Sequence, residues 1–368
     1  DLAYYFKEST LPMTSLHITY NCGGMFDPEG QKGCSHLMEH LICKTFKKYY
    51  PELTRNLIDW NAYTSNEIVC VHFSGMEKYF TPKLKKNIVK AMVGGIKISE
   101  KEFNAEKKVV LQEYMDAFNS PESGENIMRT KFNMFLAIGK GEDVANFSYK
   151  DMQAFYDKFM KKPSKIIEVA TTQTDFSDIE MDENFAVEPM VIKYKKDYKN
   201  PLEPIPPNNK ATVLFLNKKT VNKKDYPALQ VAIQMMVAGM ESPMTKQIRA
   251  KKHLTYGIDF GMLTLQKQAI IYAEATTDKK NEKKLKDEFS KFFTNPSSYL
   301  TKQRFDDVIR AITIAREKKD LFPWTDVGQF IRDGYVMIGD AYKTMTLDEV
   351  KAAAEKYLVV KNFDVIVH

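Results

Sequence analysis

The sequence predicts an α+β protein made of two tandem halves of similar design, and three observations support this fold class. The 368 residues exceed the usual size of a single domain. A stretch rich in proline and asparagine, residues 198–209, can continue neither a helix nor a central strand. On both sides of it, strand-like and helix-like segments follow one another in a similar order. We therefore predict an N-terminal half over residues 1–197, a linker over 198–210 and a C-terminal half over 211–368.

The first half combines predicted strands and helices. A strand over residues 15–21 ends at two glycines, and a helix begins near Ser35. The alternation of apolar with small or polar residues over 68–74 predicts a half-buried strand. Further helices are predicted over 82–93, 99–118 and 148–160, followed by a strand over 165–171.

The second half repeats this order. Strands are predicted over residues 211–216, 256–265, 269–275 and 363–368. Helices are predicted over residues 226–238, 243–252, 282–293, 302–318 and 347–357. The repeated order indicates an internal duplication, although the residues themselves show no clear repeat.

Composition and charge exclude several classes of protein. The hydrophobic fraction of 43% and the charged fraction of 28% are ordinary for a globular protein. No apolar run approaches the roughly 20 residues of a membrane-spanning helix, so no membrane partner is predicted. The net charge of +6 comes from lysines scattered over polar helix faces. Because they form no basic stripe interleaved with aromatic residues, we predict no nucleic-acid partner.

The four cysteines, Cys22, Cys34, Cys43 and Cys70, lie in the first fifth of the chain and form neither a C-x-x-C pair nor a dense disulfide framework. We interpret them as reduced, buried residues of an intracellular and most simply cytoplasmic protein. The first residues do not resemble a signal peptide, and an organellar location follows if a leader has been removed. A zinc-binding role for Cys34 or Cys43, which lie near two histidines, stays open.

Two histidines and a glutamate form the strongest functional pattern of the sequence. His36 and His40 are four residues apart, so both imidazoles project from one face of the predicted helix, with Glu39 beside them. Two metal-binding nitrogens and a carboxylate next to an open position suit a catalytic zinc site. The order H-x-x-E-H is the inverse of H-E-x-x-H. A surface helix with two incidental histidines is the less favoured alternative, because the chain has only 6 histidines.

A catalytic zinc ion usually takes three protein ligands, so a second segment must supply one. The predicted helix over 99–118 offers it, and it begins with the capping box of Ser99 and Glu102. One face of this helix is apolar except for two carboxylates, and it carries Phe103, Glu106, Val110, Glu113 and Ala117. Buried carboxylates are costly unless they are paired or bind a metal. The alternative is an exposed face with solvated glutamates.

These residues resemble the M16 family of metallopeptidases, which includes pitrilysin, insulysin and the mitochondrial processing peptidase. In that family a glutamate ligand follows the inverted motif some seventy-odd residues on, and another glutamate precedes that ligand by seven. Glu113 lies 73 residues after His40 (113 − 40) and 7 after Glu106 (113 − 106). The resemblance implies one zinc ion per chain, bound by His36, His40 and Glu113, with Glu106 orienting the ligands from behind.

The resemblance also implies a fold and a substrate-binding strand. The fold is that of LuxS/MPP-like metallohydrolases, in which each half is a mostly antiparallel sheet packed with helices. Residues 61–65 are similar to the family's N-A-x-T-s segment, an edge strand beside the zinc that pairs with the substrate backbone. Asn61 and Ala62 are therefore implied to bind substrate.

A further segment extends the resemblance into the second half. Residues 247–257 are close to the family's L-R-e-k-r-g-L-a-Y-s pattern, which implies that Arg249 and Tyr256 bind substrate and stabilise the transition state. The structural alternatives are an arginine in a surface ion pair and a strand tyrosine in the core. Two departures are visible: His253 replaces the usual glycine, and Lys44 is followed directly by Thr45 where relatives often have Lys-Gly-Thr.

The implied activity is that of a zinc-dependent endopeptidase in which Glu39 is the general base on a zinc-bound water and Tyr256 helps to hold the oxyanion. Relatives close four such halves around the substrate. A chain with two halves is therefore expected to form a homodimer in which Arg249 and Tyr256 of one copy serve the zinc of the other. An enclosed chamber favours peptides and unfolded protein segments as substrates.

Two other functions remain as alternatives. The chain could be a non-catalytic subunit, but such members typically lose part of the zinc motif, whereas His36, Glu39, His40 and Glu113 are all present. It could also work only with a different partner chain as a processing peptidase. The presence of the zinc residues together with Arg249 and Tyr256 in one chain favours the homodimer instead.

Overall fold

The computed structural model of the protein describes residues 4–95, 98–118, 131–132, 137–180, 192–196, 209–265, 268–321 and 340–367. The contacts among them divide the chain into two compact units. The first unit takes its described residues chiefly from Asp1–Ser120 and Met134–Met190, and the second chiefly from Val191–Glu317 and Tyr335–His368. Of the predicted linker, only residues 209 and 210 belong to the described part, so the linker stays a prediction.

Five strands form the sheet of the first unit. They are β1 (Tyr4–Glu8), β2 (Met13–Tyr20), β3 (Asp59–Thr64), β4 (Val69–Met76) and β5 (Lys165–Ala170). Their order across the sheet is β1-β5-β2-β4-β3. Only the β1–β5 pair is parallel, and the other three pairs are antiparallel. Among the described strands β3 pairs with β4 alone, so it is an edge strand, as the sequence predicts.

The helices of the first unit pack against one face of this sheet. They are α1 (Cys34–Tyr49), α2 (Pro51–Arg55), α3 (Pro82–Val93), α4 (Glu100–Phe118), α5 (Gly141–Asn146) and α6 (Tyr149–Phe159). In α1 the side chains of Leu37, Met38 and Leu41 are fully buried in the core. Because each such side chain contributes about 1.5–3 kcal/mol when buried, they fix the rotation of α1 on the sheet.

The second unit has its own sheet and helices. Its strands are β6 (Lys210–Asn217), β7 (Val221–Asn222), β8 (Asp259–Thr264), β9 (Gln268–Asp278) and β10 (Phe363–Val367). Its helices are α7 (Tyr226–Val237), a π-helix (Thr245–Lys251), α8 (Glu282–Thr294), α9 (Lys302–Leu321) and α10 (Leu347–Tyr357). β9 lies at the centre of this sheet, since β6, β7 and β8 all pair with it.

The two units share one topology. In the first, four antiparallel strands run in the order β5-β2-β4-β3, and in the second β10-β6-β9-β8. In each set, the strand that comes first in the chain lies in the interior of the set, and the strand that comes last lies beside it at one end. The predicted tandem duplication and the α+β fold class are confirmed at the level of topology.

Two local predictions need correction, and one strand is missing from the predicted set. The strand predicted over 256–265 begins at Asp259, and Tyr256 lies in a bend before it, because β9 offers its first register partner, Glu274, to Asp259. The helix predicted over 243–252 is a π-helix over Thr245–Lys251. Strand β1 was not predicted. Among the described residues no helix combines the length and apolarity that crossing a membrane requires.

Candidate metal centre

The start of α1 is fixed by a buried carboxylate and by two glycines. The side chain of Asp27 accepts hydrogen bonds from the backbone nitrogens of Gly33 at 2.7 Å and Ser35 at 3.2 Å, and also from the Ser35 hydroxyl. These contacts satisfy amides that the first turn of a helix leaves free. Gly33 has a φ of 101° and lies against the backbone of Gly139. A Cβ on Gly139 would be only 2.1 Å from the Gly33 nitrogen. The helix therefore begins at one fixed place, a turn before its histidines.

His36 and His40 lie one turn apart on α1 and face the same way. Their ring centroids are 4.8 Å apart and their planes are nearly perpendicular, at 85°. Both side chains are mostly buried, with 16% and 17% of their surface exposed. The apolar residues of α1 occupy the core, so the two imidazoles are left on the face that meets α4.

Helix α4 brings a carboxylate to both imidazoles. Glu113 Oε2 lies 3.6 Å from His36 Nε2 and 3.4 Å from His40 Nε2. Ligand atoms of these three residues all lie within 4.8 Å of one another, and they form the one group of metal-ligand type found among the described residues. The structure thus brings together the three ligands that the sequence predicts, and neither Cys34 nor Cys43 belongs to the group.

The geometry of these atoms fits a zinc ion. Zinc binds nitrogen and oxygen ligands at about 2.0–2.2 Å in a tetrahedron, so neighbouring ligand atoms lie roughly 3.3–3.6 Å apart. The two distances from Glu113 Oε2 match this range. His40 Nδ1 lies 3.2 Å from Glu106 Oε1, and in the neutral tautomer that donates this hydrogen bond Nε2 carries the lone pair. A lone pair aimed at a carboxylate oxygen is repulsive unless a cation lies between them.

Burial keeps His36 neutral. Burial first, and the neighbouring His40 second, lower the pKa of His36 from 6.5 to about 4. At neutral pH its imidazole therefore carries a free lone pair, the form that binds a metal. His36 Nδ1 is buried and has no hydrogen-bond partner among the described residues.

Glu39 lies beside the two imidazoles and is held by the end of the edge strand. The hydroxyl of Thr64, the last residue of β3, donates to Glu39 Oε2 at 3.0 Å. Burial raises the pKa of Glu39, while the Thr64 hydrogen bond and His40 act in the opposite direction. A carboxylate with a raised pKa is suited to accept and release a proton near neutral pH. The sequence pattern alone indicates no role for Thr64.

Glu106 stands behind His40 and is itself held by Lys44. Its second oxygen, Oε2, accepts from Lys44 Nζ at 2.6 Å. Burial alone raises the pKa of Glu106, but the hydrogen bonds from Lys44 and His40 outweigh it and hold the pKa below the ordinary value. Glu106 therefore lies where the sequence predicts an orienting carboxylate. Lys44 is a contact that sequence reasoning missed, because 62 residues separate it from Glu106.

The predicted substrate-binding residues of β3 divide into two kinds. Asn61 is exposed, whereas the Ala62 side chain is 8% exposed and belongs to the core. The side chain of Asn61 accepts from the Ala62 nitrogen at 2.9 Å. Ala62 can therefore meet a substrate only through its backbone, as strand pairing requires.

Arg249 and Tyr256 come together in the second unit. The guanidinium carbon of Arg249 lies 4.5 Å from the centroid of the Tyr256 ring. Tyr256 is 85% exposed, so the alternative of a core tyrosine is wrong, and the ring is a large apolar surface open to solvent. The pair is held by the π-helix and by the bend before β8, and its predicted role at a zinc site stays a prediction.

Family models and solved structures match nearly the whole chain. Residues 6–135 match a model described as Insulinase (Peptidase family M16), and residues 146–312 match one described as Peptidase M16 inactive domain. A protease from Helicobacter pylori has a similar fold, with a TM-score of 0.78 at 16% identity over 98% of this chain and 95% of that one. No curated protein sequence matches the chain.

Two further solved structures share the fold. A putative M16-like peptidase from Alicyclobacillus acidocaldarius matches with a TM-score of 0.73 at 15% identity, over 98% of this chain and 93% of that one. The periplasmic protease PqqL from Escherichia coli matches with a TM-score of 0.72 at 13% identity, over 98% of this chain but 43% of that one.

The fold and the two family models define the class as a peptidase-family protein of two tandem α+β domains. The chain belongs to peptidase family M16, and it is a compact member in which the two domain models follow one another directly.

Proposed function

We propose that the protein is a zinc-dependent endopeptidase that hydrolyses peptides or unfolded protein segments. One observation carries the proposal: Glu113 Oε2 lies 3.6 Å from His36 Nε2 and 3.4 Å from His40 Nε2, and Glu39 lies on the same helix face beside the two imidazoles. Neutral imidazoles, one carboxylate ligand and a neighbouring basic carboxylate form the donor set of a catalytic zinc site. This donor set supports an active enzyme over a binding protein that merely shares the fold.

Each residue of the site has a distinct task. His36, His40 and Glu113 would hold one zinc ion, which when bound supplies a Lewis acid that polarises the scissile carbonyl and acidifies water. Glu39 takes a proton from the attacking water and passes it to the leaving amine, and Thr64 aims its carboxylate. Glu106 keeps the His40 proton on Nδ1, so that Nε2 stays available to the metal.

The substrate is proposed to bind along β3. Among the described strands, this strand has a free edge, and it ends at the residue that holds Glu39. Its exposed residues Asn61 and Tyr63 lie on the face of the sheet opposite the core that contains Ala62. An extended peptide that pairs with this edge would therefore run past Glu39. Strand pairing requires an extended backbone, which favours peptides and unfolded segments over folded proteins.

We further propose a homodimer in which Arg249 and Tyr256 of one copy serve the zinc site of the other. The exposed Tyr256 ring, stacked against the half-buried Arg249, supports this because the pair offers a cation and a phenol hydroxyl to a partner surface. The match to 43% of a longer protease chain is consistent with two copies that together supply four domains. Sizing of the isolated protein by light scattering tests the dimer, and a stable monomer with full activity would contradict it.

The activity is tested by digestion of a peptide library with and without a zinc chelator, read by mass spectrometry. The parent should cleave peptides only when zinc is present. Glu39→Gln keeps the size and the ligands but removes the general base, so kcat should fall by about 10²–10⁴-fold while zinc stays bound. Glu142→Gln, an exposed glutamate outside the site, serves as the control and should keep the parent rate. Parent-like turnover by Glu39→Gln would remove Glu39 from the mechanism.

The second candidate is a non-catalytic or hetero-oligomeric subunit of a processing peptidase. The description of the model matched by residues 146–312 as an inactive domain is the observation that favours it. That model covers mainly the second half, however, and the complete donor set lies within the residues matched by the other model. A zinc content below about 0.2 per chain under metal-replete conditions would favour this candidate.

A further inference from the structure

Helices α1 and α4 are joined by two lysine–glutamate ion pairs on successive turns. Lys44 Nζ lies 2.6 Å from Glu106 Oε2, and Lys48 Nζ lies 2.7 Å from Glu102 Oε1. Both pairs run from α1 to α4 and both are partly exposed. As simple links between two helices they are equivalent, and each would be worth at most about 1 kcal/mol.

The two pairs differ in what the glutamate does with its other contacts. Glu102 is turned to the N-terminus of α4, where it accepts from the backbone nitrogen of Ser99 at 2.8 Å. Glu106 is turned to the metal centre, where its Oε1 lies 3.2 Å from His40 Nδ1. A continuous line of contacts therefore runs from Lys44 through Glu106 to His40 and on to Glu113, whose Oε2 is 3.4 Å from His40 Nε2.

Glu106 depends on Lys44 for its orientation. Each of its two oxygens has one charged or polar partner, so the plane of the carboxylate is fixed from both sides. Its side chain is only 16% exposed, so water can replace a lost partner only in part. Without Lys44, Oε2 would turn toward solvent and draw Oε1 away from the imidazole.

We propose that Lys44 is a positioning residue for the metal ligand His40 and acts through Glu106. This inference rests on the proposed zinc site. Lys44 holds the Glu106 carboxylate, Glu106 holds the proton of His40 on Nδ1, and the Nε2 lone pair is thereby directed toward Glu113. Partners behind a metal ligand fix its tautomer and its ring orientation, and their loss typically weakens metal binding by about 10–100-fold.

A purely electrostatic role predicts the opposite sign. Three carboxylates, Glu39, Glu106 and Glu113, lie around the site, and Lys44 is the cation paired with one of them. Removal of a positive charge close to a divalent cation should tighten its binding. Removal of a positioning contact should weaken it. The direction of the change in zinc affinity therefore separates the two roles.

The test is the zinc dissociation constant of the full chain, measured by competition with a chromogenic chelator. Lys44→Met should weaken zinc binding about tenfold. Lys44→Arg keeps the cation and the donor and should restore affinity to within about threefold of the parent. The matched control is Lys48→Met, which removes the same charge and the neighbouring ion pair, and it should leave the constant unchanged.

An unchanged or lower dissociation constant for Lys44→Met would overturn the inference, and so would an equal loss in Lys48→Met. Lys44→Gln, which keeps a neutral donor and fits the same space, gives a second measurement if Lys44→Met fails to fold. Its dissociation constant should lie between that of the parent and the tenfold loss, and a dissociation constant below that of the parent would again overturn the inference. A parent that binds no zinc at all would instead refute the proposed function itself.

Discussion

The two halves of the molecule differ in the residues that equivalent helices present. In each half one helix follows the first of the four shared strands: α1 in the first and α7 in the second. Helix α7 is almost wholly apolar, with Leu229, Val231, Ala232 and Met235 fully buried. Helix α1 buries only one side and keeps two histidines and a glutamate on the other. The same position in the fold is part of the core in one half and carries the candidate metal centre in the other.

The counterpart helices α4 and α9 also differ in what they direct to their neighbours. In the first half, α4 directs Glu106 and Glu113 to the imidazoles of α1. In the second half, its counterpart α9 directs Arg304 to backbone carbonyls at the end of α7, with Nε donating to the Met235 oxygen at 3.0 Å. That contact caps a helix but offers no group for chemistry. Among the described residues, the first half is therefore the one that brings side chains of metal-ligand type together.

Among the variants that test this difference between the halves, Gly139→Ala is expected to have the largest effect on stability. A Cβ on Gly139 would lie 2.1 Å from the Gly33 nitrogen and 2.2 Å from its Cα, and both are backbone atoms that cannot move without displacing the start of α1. The φ of 74° adds strain. We expect a loss of more than about 4 kcal/mol in the free energy of unfolding, and loss of zinc binding, measured by urea denaturation and zinc assay.

The second half provides the control for Gly139→Ala. Gly239 has a φ of 79°, but a Cβ there would meet nothing within 4 Å. Gly239→Ala therefore contains the backbone strain without the clash and should cost about 1–2 kcal/mol with zinc binding intact. Equal losses in the two variants would show that the close approach of Gly139 to Gly33 does not determine the stability of the site.

A smaller effect is expected from removal of zinc. A ligand that binds only the folded state stabilises it by about 2.7 kcal/mol at 100 times its dissociation constant. The two helix pairs should therefore respond differently to a chelator. In hydrogen–deuterium exchange, amides of α1 and α4 should exchange up to about a hundredfold faster, whereas those of α7 and α9 should not change.

Glu113→Gln is the control for zinc removal. Because it lacks one of the three proposed ligands, its exchange rates in α1 and α4 should be the same with and without the chelator. Equal loss of protection in α7 and α9 of the parent would contradict this prediction, since it would mean that the metal does not act on the first half alone.

The sequence predicted the elements well where the signals are local. The bounds of α3 and α10 follow from Pro82 and from the capping box that begins at Thr346, and both helices lie where the sequence places them. The inverted motif predicted two of the three ligands that converge, because four residues of spacing fix the two histidines relative to each other, and the family resemblance implied Glu113 as the third. The periodic glutamates of α4 completed the group.

What the sequence did not predict depends on contacts between distant segments. Strand β1 is defined by parallel pairing with β5, some 160 residues away in the chain, and its own five residues carry no clear alternation of burial. The hydrogen bond from Thr64 to Glu39 and the ion pair of Lys44 with Glu106 form only when the helices are packed. The π-helix and the late start of β8 likewise follow from packing rather than from periodicity.

The smallest effect concerns His253, where the resemblance noted in the sequence implies a glycine. Its φ of 54° lies in the left-handed region, which costs a residue with a Cβ about 1–2 kcal/mol. A glycine at this position would adopt the left-handed conformation without this cost, whereas His253 adopts it with strain. His253→Gly should raise the free energy of unfolding by about 0.5–1 kcal/mol, because the extra entropy of glycine in the unfolded chain offsets part of the gain.

The first half offers a matched position for this last prediction. Leu57 has a φ of 50° and is 87% exposed, so Leu57→Gly removes strain with little loss of packing. If backbone strain decides the outcome, Leu57→Gly and His253→Gly should stabilise their halves by similar amounts in urea denaturation, while His253→Ala should give no gain. A gain from His253→Ala as large as that from His253→Gly would attribute the effect to the imidazole, and the two halves would then differ here as well.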